Sequence, residues 1–157
     1  ISLPRAAHID HEIMRIFQSI DVAVDVASSS EVSTRYEFLN VAGDVLMRFE
    51  TGRADALSGW PPSNMIHQPS IEQVLRARLA ECDFVDARFG ATYRDHEVCG
   101  DVVTVHVEAN GEASKACCRF LIGCDGANGA VRANAGLSFV DLGFSERWLV
   151  IDTKVID

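Results

Sequence analysis

The stretch 120–136, FLIGCDGANGAVRANAG, constrains this chain more than any other. Phe120, Leu121 and Ile122 form an apolar run that soon meets Asp125 and Gly126, and Arg132 follows six residues after that glycine. Such a run, then Asp-Gly, then helix formers, reads as a strand, a tight turn and a helix, the unit from which α/β folds are assembled. In open α/β sheets ligands sit beyond the carboxyl ends of the strands. A carboxylate placed there accepts hydrogen bonds from ribose hydroxyls, and a glycine lets the backbone approach a nucleotide closely. Arg132 carries a fixed fork of donors suited to phosphate or carboxylate, and Asn128 suits the helix N-cap. Taken alone, the pattern is equally that of an ordinary turn, with Asn128 a routine cap and Arg132 a solvated helix residue.

The remaining elements follow from periodicity. Asp10 predicts the cap of a helix in which Ile9, Ile13, Ile16, Phe17 and Ile20 recur at helical spacing and form its core face. The segment 21–33 is small and polar and breaks that pattern. Residues 35–50 read as two strands around a turn at Ala42, Gly43 and Asp44, and 51–64 as the longest loop. Ser70 and Gln73 fit a capping box ahead of the stripe Ile71, Val74, Leu75 and Leu79. A short strand is expected over 84–89. Asn110-Gly111 between 102–109 and 112–118 is a hairpin signal, with the second arm continuing into 120–124. A helix follows Gly126, and 147–155 reads as a last strand.

Composition narrows the function classes. The chain has 157 residues, about one domain, 48% of them hydrophobic, with no apolar run long enough to span a bilayer, so no membrane partner is expected. A net charge of -9, with 14 scattered basic residues, argues against nucleic acid. Five cysteines, including the adjacent Cys117 and Cys118, point to a reducing, cytoplasmic setting rather than a disulfide framework. There is no CxxC, and adjacent cysteines on a strand face opposite ways, so no metal site is expected around His96, Cys99, Cys117 and Cys118. His8, His11 and His67 read as structural or solvated histidines. No catalytic side chain is assigned.

Three segments together carry a resemblance. CDGANGAVR resembles the Asp-Gly motif, DGANSxVR, of the flavin-dependent aromatic hydroxylases of the para-hydroxybenzoate hydroxylase type, with Gly129 standing where that form has serine. PRAAHIDHEIMRIFQSID is similar to the stretch after the second strand of that family's FAD domain, and IHQPSIEQVLRARL to a helix preceded by a glutamine. With RWLVIDTKV near the end, the likeness extends to the 3-(3-hydroxyphenyl)propionate hydroxylases. The resemblance implies a mixed α/β (α+β) fold, a partial FAD-binding domain of this type with part of a β-rich substrate domain. It implies FAD-domain segments at 1–34 and 66–136, substrate-domain strands and loop at 35–65, and the start of a second substrate-domain segment at 137–157.

The same resemblance implies the chemistry: hydroxylation of a phenolic aromatic acid by FAD, with NADH or NADPH as co-substrate and O2. The implied cofactor contacts are Arg5, Gln68, Asp125, Gly126 and Arg132, with Asp125 at the ribose and Arg132 serving the nicotinamide cofactor or the packing of the domain. The family's GxGxxG loop and its later Gly-Asp motif do not occur in these 157 residues. An internal segment of a longer enzyme, inactive by itself, is therefore expected, and its unpaired strand edges favour a homo-oligomer. The alternative is a non-catalytic α/β nucleotide-binding or interaction module.

Overall fold

A computed structural model describes residues 6–51, 57–145 and 147. The expected last strand over 147–155 lies outside these but for Arg147. The chain divides into two compact units, Ile1–Ala87 and Arg88–Asp157.

In the first unit, β1 (His8–Asp10) leads directly into α1 (His11–Ser19). Asp10 caps this helix as expected, accepting from the Glu12 and Ile13 amides at 3.0 Å each. The buried face only overlaps the predicted stripe: Ile9 and Phe17 pack against the core, the other three members do not. Met14 is fully buried, whereas Ile13, Ile16 and Ile20 are exposed, Ile16 by 56%. The reason is α2 (Ala23–Ser28), which packs on the Met14 side of α1 and places Val22, Ala23 and Val26 in the core with Ile71. Residues 21–33, read as a small, polar break in the helical pattern, thus hold a helix and the strand β2 (Ser30–Val32). A six-residue helix is not stable alone; burial of Ala23 and Val26 supplies what propensity does not.

The hairpin of β3 (Arg35–Leu39) and β4 (Val45–Glu50) forms where the sequence places it. The loop after it ends sooner than expected, in β5 (Ser63–Ile66), which lies between β1 and β2 in an antiparallel sheet of order β1-β5-β2. Helix α3 (Gln68–Ala80) starts two residues before Ser70. Pro69, with fixed φ and no N–H, suits the first turn and draws the start back to His67, so Ser70 is not the cap. Instead the Ser70 hydroxyl pairs with His67 Nδ1 at 2.9 Å.

The second unit is built on a meander of β6 (Thr92–Cys99), β7 (Val102–Ala109) and β8 (Glu112–Cys118). Ala109 and Glu112 close the β7–β8 hairpin, and Asn110 and Gly111 both take positive φ, 53° and 82°, as a two-residue primed turn requires. Two expected strands do not form. Residues 84–89 carry no ladder, and 120–124 has no regular secondary structure, with Phe120 and Ile122 exposed by 75% and 80%. A buried parallel strand needs neighbours on both sides, and no described segment pairs with this one. The run leads to α4 (Ala130–Asn134), tied to β6 by Asn134 Nδ2, which donates to the Arg94 carbonyl at 2.9 Å.

Candidate functional site

The turn between the 120–124 run and α4 gathers the candidate residues. Gly126 has φ +85°, in the left-handed region that favours glycine, and beyond its own chain neighbours no atom of the described residues lies within 4 Å of the place where its Cβ would stand. The backbone is open to a ligand there. Asp125 is engaged by the helix: its Oδ2 accepts the Val131 amide at 3.1 Å, so the carboxylate caps α4. Asn128 does not act as the expected cap; the N-cap residue is Gly129, which has no side chain to offer.

That bond holds the Asp125 carboxyl below the ordinary carboxylate range, chiefly through the Val131 N–H, with the Arg132 charge adding to it. The folded value lies below the unfolded one, so the bond contributes fully above the unfolded value and is lost as pH falls through the lowered one. The Val131 amide resonance is accordingly expected to be constant above about pH 4 and to shift below it. A flat Val131 shift down to acid unfolding would exclude this bond in solution.

Arg132 faces inward along the same turn. Its Nη1 donates to the Leu137 carbonyl at 2.9 Å and its Nη2 to the Ala127 carbonyl at 3.3 Å, while the guanidinium lies 5.1 Å from the Phe139 ring centre. Leu137 N–H in turn donates to the Arg132 carbonyl at 3.2 Å. The fork thus pins the two flanks of α4 together, and its Nε is buried with no partner among the described residues. Asp125, Gly126 and Arg132 border an open, mostly apolar hollow of about 550 Å³, to which Val103, Phe120 and Leu137 contribute apolar surface and His96 and Arg119 polar groups. His96 Nδ1 is held by the Tyr93 hydroxyl at 2.7 Å.

Gln68 belongs to the first unit. Its Oε1 accepts the Ala6 amide at 2.9 Å and its Nε2 donates to Glu72 at 3.1 Å, so it secures the backbone beside Arg5. Arg5 itself lies outside the described residues. The first unit also holds a polar cluster that sequence reasoning did not find. Buried Ser63 Oγ lies 3.0 Å from His8 Nε2 and 3.1 Å from the Tyr36 hydroxyl, joining β1, β3 and β5. No local motif marks it, because its members are 27 and 55 residues apart. In the second unit a signal was available: Gly123, Gly126 and Gly129 recur every third residue around Asp125.

A family model described as FAD binding domain matches residues 1–156. The chain belongs to this family. Among its relatives, a probable NADH-specific resorcinol 4-hydroxylase of Rhodococcus jostii (strain RHA1) is 37% identical over 156 residues, covering 98% of this chain and 29% of its own length. A 3-(3-hydroxy-phenyl)propionate/3-hydroxycinnamic acid hydroxylase of Mycobacterium sp. (strain JLS) is 33% identical over 152 residues, covering 97% of this chain and 26% of its own. The FAD-binding-domain chain therefore spans little more than a quarter of the length of the curated relatives it matches. Its fold is shared with p-nitrophenol 4-monooxygenase PnpA from Pseudomonas putida DLL-E4, at a TM-score of 0.80 and 16% identity, over 89% of this chain and 35% of that one. It is also shared with the flavin-dependent monooxygenase PieE, solved with FAD and substrate, at a TM-score of 0.72 and 22% identity, over 85% and 25%.

Proposed function

We propose that the chain is part of an FAD-dependent aromatic monooxygenase that hydroxylates a phenolic aromatic acid with NADH or NADPH and O2 in the cytoplasm. The observation that carries this is the open backbone at Gly126 beside the Asp125 carboxylate, in a chain whose family is FAD-binding. Bound FAD would supply the redox chemistry, taking electrons from the nicotinamide and activating oxygen. The chain's residues bind and orient it: Asp125 accepts from the ribose, Gly126 admits the nucleotide to the backbone, Arg132 holds their turn, and Gln68 and Arg5 are cofactor contacts. In this reading 1–34 and 66–136 serve the FAD domain, and 35–65 and 137–157 the substrate domain.

The test uses the protein translated from the native reading frame. It is expected to copurify with flavin and to consume oxygen and reduced nicotinamide when offered a phenolic acid. Asp125→Ala is expected to weaken FAD binding by about tenfold, since it removes a charged acceptor for the ribose hydroxyls. A colourless product that takes up no FAD would leave the non-catalytic binding module in its place.

A further inference from the structure

Gly129 and the Asp125 carboxylate compete for one volume. A Cβ at residue 129 would stand 2.6 Å from Asp125 Cγ and 2.8 Å from the Gly126 carbonyl oxygen, closer than real Cβ contacts come. Yet the Gly129 backbone, at φ -60° and ψ 133°, is one that any residue adopts. Glycine is therefore not required there for its conformational freedom. What it provides is room. Gly123 bounds the carboxylate from another side, its own Cβ position lying 3.4 Å from Asp125 Oδ1.

We infer that Gly129 is a positioning residue for the cofactor site: by lacking a side chain it lets the Asp125 carboxylate fold back onto α4, and any side chain there turns the carboxylate outward. The carboxylate has two competing partners, the Val131 amide that it accepts now and the ribose hydroxyls it would accept from FAD. With glycine at 129 the first is always within reach, so cofactor must displace an existing bond. With a side chain at 129 that bond is lost before FAD arrives. The ribose half of the argument rests on the proposed function; the internal half rests on the turn alone.

The experiment compares the 157-residue chain with its Gly129→Ala and Gly129→Ser variants by NMR, following the Asp125 carboxyl titration and the exchange of the Val131 amide. Both variants are expected to raise the Asp125 midpoint towards the ordinary carboxylate range. In Gly129→Ala the Val131 amide is expected to exchange about tenfold faster, as loss of one charge-assisted bond implies. In Gly129→Ser exchange is expected to remain near the parent rate, because an N-cap hydroxyl accepts from the second or third amide of the helix. In an Asp125→Ala background, Gly129→Ala is expected to add less acceleration than in the parent, since the carboxylate is gone and only the Gly126 carbonyl oxygen still meets the new Cβ. An Asp125 midpoint unmoved in both glycine variants overturns the inference, as does full additivity in the double variant. Should Gly129→Ala lose the β7–β8 hairpin resonances, the Asp125 midpoint in the serine variant decides alone. FAD affinity is then measured for the same chains, where Gly129→Ser is expected to bind about three- to tenfold tighter than the parent. A moved midpoint with unchanged FAD affinity leaves the role of Gly129 standing and removes Asp125 as the ribose acceptor.

Discussion

Met14→Ala is expected to destabilise the first unit by about 2–5 kcal/mol, the range for truncating a buried long side chain to alanine. Met14 is fully enclosed, and among the described residues the buried cluster around it holds Val22, Ala23, Val26 and Ile71, flanked by Ile9, Phe17, Ala27, Trp60, Ile66, Val74 and Leu75. A cluster this small has few side chains that can move into the space vacated, so little of the loss is recovered. Ile16→Ala, two residues along the same helix, removes a side chain that is mostly in solvent and is expected to cost less than about 1 kcal/mol. Denaturant unfolding followed by Trp60 fluorescence separates the two, since the Trp60 ring packs on this cluster and its Nε1 donates to Gln18 on α1 at 2.9 Å. Equal losses for the two substitutions would mean that the helix buries its isoleucine stripe after all.

The second large effect concerns the cofactor. This chain alone is expected to bind FAD about a hundredfold or more less tightly than the same segment within a protein that also carries a GxGxxG loop. That loop places pyrophosphate at a helix N-terminus, and none occurs among these 157 residues. Each charge-assisted contact missing contributes about 1.5–3 kcal/mol, so two amount to two to four decades in Kd. The Asp125–Gly126 turn does not compensate, because its carboxylate already accepts the Val131 amide. Fluorescence titration gives the affinity directly. A yellow 157-residue protein that keeps stoichiometric flavin through gel filtration would refute the expectation.

The two readings of Arg132, anion binder or packing residue, were both open from the sequence. Its fork now has two carbonyl partners and an aromatic ring, none of them deducible from spacing. Gly129 is similar in kind. The sequence shows a glycine at the start of a helix, whereas its consequence depends on a carboxylate four residues earlier having folded back. The polar cluster of His8, Tyr36 and Ser63 was illegible because three separate strands must meet before its atoms do.

What the sequence determined alone is what depends on near neighbours. Asp10 as a cap, Asn110-Gly111 as a primed turn, the hairpin at Gly43 and the tight turn at Asp125-Gly126 each follow from donors, acceptors and φ preferences within a few residues. Tertiary structure alone decided which face of α1 is buried, that 23–28 is helical, that β5 lies between β1 and β2, and that 120–124 stays unladdered. Those outcomes turn on partners distant in sequence, and neither a burial pattern nor a strand ladder exists until the partner has been brought into place.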